Sequence, residues 1–371
     1  MQNTLVTIVA GARPNFMKIA PIIAEIEKVK SEGAAIDFRL VHTGQHYDGK
    51  MSDNFFEQLG IPEPHINLGA RGATQAEQTA AIMVSFEKDL MENRPSLVLV
   101  VGDVTSTMAC AIAAQKLCIP VAHVEAGIRS GDWAMPEEIN RIVTDSITNY
   151  FFTTTELAGN MLKKTGVEEG RIFFVGNTMI DTLLRQMPHF RKPPFWDEYH
   201  LAPQQYLVLT LHRPSNVDDE SQLRSLFEVI ERASQSMPVI FPAHPRTTKN
   251  MERFGIQLNN VKLVEPMGYL EFNYLVQHAK AVITDSGGVT EETTVMNVPC
   301  MTIRENTERP ETCTMGTNEL LGTKPEALEA AMNKVMEGNW KKGSVPPLWD
   351  GRTAERIVAA ILSLNLGSRG E

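Results

Sequence analysis

The sequence predicts an α/β protein with two doubly wound domains, each built on a parallel sheet covered by helices on both faces. Three observations lead to this prediction. The chain has 371 residues, which exceeds the usual size of one domain. Short apolar runs alternate with longer amphipathic segments, a pattern typical of parallel strands that are buried on both faces. Polar, glycine-containing stretches follow many of the apolar runs.

Eleven apolar runs are predicted to be strands, five in the first part of the chain and six in the second. They read TLVTIVAG, FRLVHTG, SLVLVVGD, VAHVEAG and NYFFTTT, then RIFFVGN, YLVLTLH, PVIFPAHP, VKLVEP, AKAVITDSGG and VPCMTI. Ligands of open α/β sheets bind beyond the carboxyl ends of the strands. The polar strand ends of two domains therefore predict one site in a central cleft between them.

Composition and the spacing of residues argue against several classes of function. The net charge of −10 argues against general nucleic-acid binding. No apolar run is long enough to span a bilayer, and the N-terminus has no basic leader. The four cysteines are scattered, which favours reduced thiols in a cytoplasmic protein. Metal-ligand spacings are absent, so no metal site is predicted.

The stretch DSGGVTEETT follows the predicted strand AVIT. Asp285 or Ser286 can cap the next helix, while Gly287 and Gly288 let the backbone approach a ligand. Amides at a helix start suit a phosphate, although an ordinary capped turn is the plain alternative. A carboxylate beside a phosphate is unfavourable, so Glu292 is expected to accept hydrogen bonds from sugar hydroxyls instead.

Basic residues also follow predicted strands. Arg13 and Lys18, in GARPNFMK, are spaced to reach a polyanion, or simply form an exposed basic turn. His212, in LHRPSN, is placed to donate to a phosphate or to move a proton. His244 and Arg246, in PAHPRT, repeat the His/Arg pattern, which favours anion binding over a purely structural role.

Acids occupy two further strand ends and a helix start. Asp103 ends SLVLVVGD, where capping of the next helix is a sufficient alternative, and Glu125 ends the strand VAHV. In MPEEINR, Glu137 and Glu138 fall in a predicted first helical turn, where acids complement the helix dipole. The residues alone leave both interpretations open.

Together these stretches resemble the non-hydrolysing UDP-N-acetylglucosamine 2-epimerases over nearly the full chain. Each motif is weak alone, but nine in order at compatible spacings are specific. They are GARPNFMK, GDVTS, HVEAGIRSGD, PEEINR, GNTMIDTLL, LHRPSN, DSGGVTEE, RENTERPET and GTNELLG.

The resemblance implies a glycosyltransferase-B fold with two Rossmann-like domains. Residues 1–174 with a returning C-terminal helix in 353–371 would form the first domain, and residues 175–352 the UDP-binding second domain. It also implies a homodimer, no cofactor, and inversion of C2 of UDP-GlcNAc to give UDP-ManNAc. In that reaction a base removes the C2 proton while UDP leaves C1, and UDP then adds back to the bound 2-acetamidoglucal.

Site residues follow from the resemblance position by position. The catalytic carboxylates match Asp103, Glu125 and Glu137, and the catalytic histidine matches His212. Glu138 is expected to serve the helix start or an ion pair. The nucleotide and phosphate contacts match Arg13, Lys18, Phe272, Ser286, Gly287, Gly288, Glu292 and Arg309.

The chain departs from the family pattern at several positions. Ala12 and Asn15 stand in GARPN, and Met267 replaces a glutamine near the uracil. Asp48 and Pro214 fall where many bacterial members build a second, activating UDP-GlcNAc site. We therefore expect substrate activation to be weak or absent.

Alternative functions stay open on the sequence. A related UDP-sugar, such as a 2,3-diacetamido uronic acid, would use the same core residues. A hydrolysing epimerase shares similar motifs. A glycosyltransferase of the same fold would not need three acids, and a non-catalytic UDP-sugar sensor would not need to retain them.

Overall fold

The computed structural model describes residues 3–44, 56, 58–235, 237–364 and 366, and the side chain of Arg13 lies outside this description. The chain divides into two compact units. The first comprises Met1–Thr182 with Pro347–Glu371, and the second comprises Leu183–Pro346. Among the described residues, no helix is long and apolar enough to cross a membrane.

The first unit contains a parallel sheet of seven strands in the order β3-β2-β1-β4-β5-β6-β7. The strands are β1 (Thr4–Ala10), β2 (Ile36–His42), β3 (Ile66–Asn67), β4 (Leu97–Val101), β5 (Val121–Val124), β6 (Tyr150–Thr153) and β7 (Ile172–Phe174). Strand β7, from the run RIFFVGN in the second part of the chain, pairs with β6 at the edge of this sheet and lies within the first domain as predicted from the resemblance.

Helices pack on the sheet of the first unit. They are α1 (Arg13–Ser31), α2 (Gln75–Glu92), α3 (Thr105–Lys116), α4 (Pro136–Ile147), α5 (Glu156–Lys164) and α15 (Thr353–Ser363). Helix α6 (Thr178–Gln186) contains the division between the units. Helix α15 packs against α1, so the C-terminal segment belongs to the first unit. Every residue of β4 is buried, as expected for a strand covered on both faces.

The second unit contains a parallel sheet of six strands in the order β10-β9-β8-β11-β12-β13. The strands are β8 (Leu207–Thr210), β9 (Val239–Pro242), β10 (Val261–Val264), β11 (Ala281–Thr284), β12 (Cys300–Thr302) and β13 (Asn318–Leu320). The helices are α7 (Phe195–Glu198), α8 (Pro214–Val217), α9 (Glu220–Ala233), α10 (Pro245–Phe254), α11 (Tyr269–Gln277), α12 (Gly287–Val295), α13 (Pro310–Thr314) and α14 (Pro325–Met336). The predicted α/β class with two doubly wound parallel sheets is confirmed.

Each sheet has a topological switch point, where the strand order reverses. In the first unit it lies between β1 and β4, and in the second between β8 and β11. Ligands of such sheets bind at the switch point, outside the carboxyl ends of the strands. The stretches GARPNFMK and GDVTS follow β1 and β4, and LHRPSN and DSGG follow β8 and β11. The fold therefore brings the predicted motifs to the two places that favour ligand binding.

Candidate functional site

Two acids stand at neighbouring strand ends in the first unit. Asp103 follows β4 and Glu125 follows β5, and these strands pair directly. The Asp103 carboxylate Oδ2 accepts hydrogen bonds from Arg141 Nη2 at 2.5 Å and Nε at 3.1 Å. The side chain of Asp103 keeps 30% of its surface exposed. This acid is thus oriented by a guanidinium and still reachable from solvent.

Glu125 is buried and pairs with Lys18 of α1. Its φ is +69°, a left-handed conformation that is uncommon for a residue with a side chain. Backbone strain of this kind costs on the order of 1–3 kcal/mol and concentrates at functional sites. The ammonium group of Lys18 forms an ion pair with Glu125. The role of Lys18 as a phosphate contact stays a prediction.

Gly102 lies between these groups. A methyl group added to it would stand 3.0 Å from Lys18 Nζ, 3.3 Å from Glu125 Oε2 and 3.5 Å from Asn15 Nδ2. Asn15 in turn donates to Val101 O at 3.1 Å and accepts from the Ala12 amide at 3.0 Å. This side chain, a departure from the family pattern, therefore ties the start of α1 to the end of β4.

The two acids of MPEEINR differ in their surroundings. Glu138 is buried and accepts from the Ser130 and Gly131 amides, at 2.9 and 3.0 Å, and from Arg141 Nη1 at 2.8 Å. Burial raises the pKa of Glu138, but these hydrogen bonds outweigh it and hold the pKa below its usual range. The expected ion pair of Glu138 is confirmed. Glu137 is half-buried, and its side chain makes no hydrogen bond or ion pair with the described residues.

His212 and Asp285 form a pair at the switch point of the second unit. Asp285 Oδ1 lies 2.7 Å from His212 Nδ1. The same carboxylate accepts from the His212 and Arg213 amides and from Asn216 Nδ2. Burial raises the pKa of Asp285, but the hydrogen bond and charge of His212 outweigh it, so the pKa lies below its usual range. The His212 side chain remains 46% exposed.

The N-cap residue of α12 provides no side-chain cap. Ser286 occupies the N-cap position without a side-chain cap bond, and Asp285 is turned towards His212, so the expected cap by either residue is wrong. A methyl group on Gly288 would meet no heavy atom within 4 Å among the described residues, and one on Gly287 would meet ordinary contacts at 3.8 and 3.9 Å. Packing does not require either glycine, which leaves room for a ligand at the helix amides.

Glu292 is buried in the second turn of α12. Its Oε1 accepts from Tyr269 Oη at 2.9 Å, and Asn273 Nδ2 lies 3.5 Å away. Burial, together with the charge of Glu291, raises the pKa of Glu292 to about 7 although the Tyr269 hydrogen bond opposes the shift. Phe272 lies half-buried on α11 among the apolar residues of the second unit.

The loop before α13 holds two further arginines. Arg309 Nε pairs with Glu291, and the side chains are 12% and 2% exposed. Arg304 forms a buried bidentate ion pair with Glu308, at 2.9 and 2.7 Å.

The second His/Arg pair, His244 and Arg246, makes local contacts. Arg246 pairs with Asp218, and His244 caps α10 by accepting from the Arg246 amide at 3.2 Å. The expected anion-binding role of that second His/Arg pair is not supported by these contacts.

Sequence reasoning missed several partners of the predicted residues. Arg141, which holds both Asp103 and Glu138, lies three residues after Glu138 on the same helix, a spacing that could have indicated the pair. Tyr269 is distant from Glu292 in sequence, so no local pattern indicated that contact. Arg13 begins α1, but its side chain and Asp48 lie outside the described residues. No group of three or more His, Cys, Asp or Glu among the described residues could hold a metal ion.

Comparison with known proteins identifies the family of this chain. The family model described as UDP-N-acetylglucosamine 2-epimerase matches residues 28–362. The chain is 42% identical over 369 residues to a Methanocaldococcus jannaschii UDP-N-acetylglucosamine 2-epimerase, covering 95% of this chain and 97% of the relative. It is 41% identical over 322 residues to a Pseudomonas aeruginosa UDP-2,3-diacetamido-2,3-dideoxy-D-glucuronate 2-epimerase, covering 86% and 88%.

A solved structure supports the same relationship. The crystal structure of Methanocaldococcus jannaschii UDP-GlcNAc 2-epimerase in complex with UDP-GlcNAc and UDP superposes with a TM-score of 0.85. The two chains share 40% identity, and the match covers 96% of this chain and 99% of the other. The chain belongs to the UDP-N-acetylglucosamine 2-epimerase family.

Proposed function

We propose that the protein inverts C2 of UDP-GlcNAc to give UDP-ManNAc. The observation that carries the proposal is the pair of acids at adjacent strand ends, Asp103 and Glu125, each held by a cation. A family relative with 40% identity was solved with UDP-GlcNAc and UDP. C2 of a pyranose is not acidic, so removal of its proton requires a placed base and a stabilised leaving group.

The leaving diphosphate would be stabilised by the second unit. Amides at the start of α12 carry the positive end of the helix dipole and suit phosphate oxygens. Asp285 holds Nδ1 of His212, which directs Nε2 of the half-exposed ring to the diphosphate. Arg309, Arg13 and Lys18 are proposed as further phosphate contacts. Ser286, Gly287 and Gly288 provide the cradle, Glu292 accepts from the ribose hydroxyls, and Phe272 contacts the base.

The reaction proceeds by elimination and addition. A carboxylate among Asp103, Glu125 and Glu137 takes the C2 proton, the C–H electron pair forms the C1–C2 double bond, and UDP leaves C1 with the C–O electron pair. The bound 2-acetamidoglucal then accepts a proton at C2 on the opposite face while a UDP oxygen adds to C1. Carboxylates serve as bases here when they are partly desolvated. No cofactor is required by this sequence of steps.

A second substrate is supported by one specific observation. The Pseudomonas aeruginosa relative, which is named for a 2,3-diacetamido glucuronate sugar, is 41% identical, nearly the same as the relative named for UDP-GlcNAc. The groups proposed for proton transfer and diphosphate binding act at C1, C2 and the nucleotide. They are therefore compatible with either substituent pattern at C3 and C6.

Proton NMR of the protein with UDP-GlcNAc in deuterated water tests the proposal. We expect deuterium at C2 together with a UDP-ManNAc signal. Free ManNAc with UDP would replace the proposal by a hydrolysing epimerase. No exchange would contradict UDP-GlcNAc as substrate, and the diacetamido uronic acid analogue would then separate a different substrate from a non-catalytic UDP-sugar-binding protein. Asp103→Asn should abolish exchange, whereas Glu168→Gln, an exposed acid of the same unit, should not.

The diphosphate cradle is tested by Gly288→Ala. A methyl group there has open space, so the variant should fold normally and bind UDP at least tenfold more weakly in calorimetry. Gly170→Ala, where an added methyl group also meets nothing within 4 Å among the described residues and the backbone is not left-handed, is the control in the first unit. Unchanged UDP affinity in Gly288→Ala would contradict the placement of the diphosphate at α12.

We also propose that the protein acts as a homodimer in the cytoplasm. Support comes from the family resemblance and from two exposed apolar residues on α2, Val84 at 69% and Met91 at 65%. They are seven residues apart and lie on one helix face, so a second copy of the chain packed on that face would bury both. Sedimentation velocity should give a dimer for the wild type and a monomer for Val84→Glu/Met91→Glu.

A further inference from the structure

His123 is a fully buried residue of β5, two positions before Glu125. Its ring has a polar partner on each side. Nδ1 lies 2.7 Å from Asp145 Oδ1, and Nε2 lies 2.8 Å from the Gly102 carbonyl oxygen. Neither the predicted catalytic set nor the predicted binding set includes His123.

Both partners of the ring are acceptors. The Gly102 carbonyl accepts only. Asp145 is ionised, because its carboxylate is paired with the Arg129 guanidinium and accepts from a backbone amide. Asp145 Oδ2 also accepts from the Gly127 amide at 3.1 Å and Arg129 Nη1 at 2.6 Å. Two acceptors require a hydrogen on each ring nitrogen, and an imidazole with both is a cation.

The Nε2 bond fixes the peptide that precedes Asp103. Gly102 donates its amide to Val124 O at 3.0 Å and accepts from His123 with its carbonyl. Val124 directly precedes Glu125. Both polar groups of Gly102 are therefore held by β5, so the ring, together with the β4–β5 pairing, sets the spacing between the chain positions that carry Asp103 and Glu125.

We propose that His123 is a buried imidazolium that positions Asp103 and Glu125 for proton transfer at C2. It is a positioning residue, because its contacts are with Asp145 and the Gly102 carbonyl. The kinetic part of this inference rests on the proposed epimerase function, whereas the charge state of the ring does not.

His42 provides an internal contrast. It is also buried, but its Nδ1 accepts from the Gly44 amide at 2.8 Å, so that nitrogen carries no hydrogen. Nitrogen-15 NMR of the whole protein labelled at histidine should show two protonated ring nitrogens for His123, with the signals assigned by their loss in His123→Gln. His42 should show one unprotonated nitrogen in the same sample. An unprotonated nitrogen at His123 would overturn the cation, whether or not the protein epimerises UDP-GlcNAc.

Kinetics test the positioning role. His123→Gln should lower kcat by about 10- to 100-fold, since small misplacements of reacting groups have effects of that order, while the Kd for UDP measured by calorimetry stays unchanged. Asp145→Asn removes the counter-ion of the ring and should lower kcat similarly and expose one unprotonated nitrogen at His123. If His123→Gln does not fold, the kcat of Asp145→Asn alone tests the positioning role. A folded variant of either kind with wild-type kcat would overturn the positioning role, and a wild type without epimerase activity would refute the proposed function instead.

Discussion

At the scale of residues, the candidate site contains two buried carboxyl groups whose pKa values are shifted in opposite directions. Burial and the charge of Glu291 raise the pKa of Glu292 to about 7. Asp285 is also buried, which raises its pKa, but the hydrogen bond and charge of His212 outweigh burial and lower the pKa below its usual range. The difference follows from their partners. Asp285 faces amides and an imidazole, while Glu292 has a tyrosine hydroxyl as its close donor.

The raised pKa of Glu292 has a consequence for stability. A carboxyl that binds its proton more tightly in the folded state loses folding stability as pH rises from about 4.5, the unfolded value, to about 7. The full shift corresponds to about 3 kcal/mol. Glu292→Gln does not titrate, so its stability advantage over wild type should grow from pH 5 to pH 8 in urea unfolding of the ligand-free protein. Glu252→Gln, an exposed acid, should show no such growth, and parallel pH profiles for Glu292→Gln would contradict the assignment.

Gly102 is constrained in two ways. Its φ is +69°, and a methyl group there would stand 3.0 Å from Lys18 Nζ. Gly102→Ala should lose about 1–2 kcal/mol from the backbone and about 100-fold in kcat by displacing the Lys18–Glu125 pair.

Gly255→Ala separates the two effects in Gly102→Ala. Gly255 has a φ of +60°, and no described residue comes within 4 Å of an added methyl group. It should show the same backbone loss in thermal unfolding and keep wild-type kcat. Equal activity in both variants would show that the close approach to Lys18 is unimportant.

At the scale of elements, a carboxylate distant in sequence caps the C-terminal helix. Asp181 on α6 accepts from the Thr353 amide at 3.1 Å and the Ala354 amide at 2.7 Å. It is buried, which raises its pKa although these amides oppose the shift. The start of α15 therefore depends on a residue far earlier in the chain.

Loss of this cap should destabilise the first unit. Asp181→Ala should cost about 1–2 kcal/mol, because two buried amides lose their acceptor. Asp219→Ala removes an exposed local cap, whose carboxylate accepts from the Gln222 amide at 2.8 Å, and should cost less. Urea unfolding of both variants compares them, and a smaller loss for Asp181→Ala would show that α15 begins without the help of Asp181.

The elements also show how far sequence reasoning reaches. Strands were predictable because apolar runs and polar strand ends are local patterns, and the switch points follow from the βα order. The partners at the site were not. Arg141 to Asp103, Tyr269 to Glu292 and His212 to Asp285 are contacts between segments that only the sheet order brings together, and the short strands β3 and β13 carry too few residues for a pattern.

For the whole molecule, the departures from the bacterial pattern lead to a kinetic prediction. Pro214, which begins α8, and Asp48 stand at positions where, by the family resemblance, many bacterial members build an activating site. A missing cation leaves a second UDP-sugar without its phosphate partner. Conversion of UDP-ManNAc should therefore follow a hyperbolic dependence on concentration, without a lag.

Initial rates with and without a trace of UDP-GlcNAc provide the measurement. The rates should be equal. A sigmoidal dependence that the trace of UDP-GlcNAc removes would establish an activating site despite Asp48 and Pro214. Pro214→Arg is the matched variant, and a sigmoidal response gained by it would identify position 214 as the difference.

The uncapped start of α12, with open space at Gly288, also has a consequence for how this protein can evolve. For the fold alone, alanine at 288 would be the better residue, because a helix loses up to about 1 kcal/mol for glycine relative to alanine and an added methyl group has open space there. Folding thus exerts no selection for Gly288, and selection for nucleotide binding would be the force that retains it. In a descendant that had abandoned its nucleotide substrate, this position would be among the first to drift, well before the buried acids that the fold needs in place.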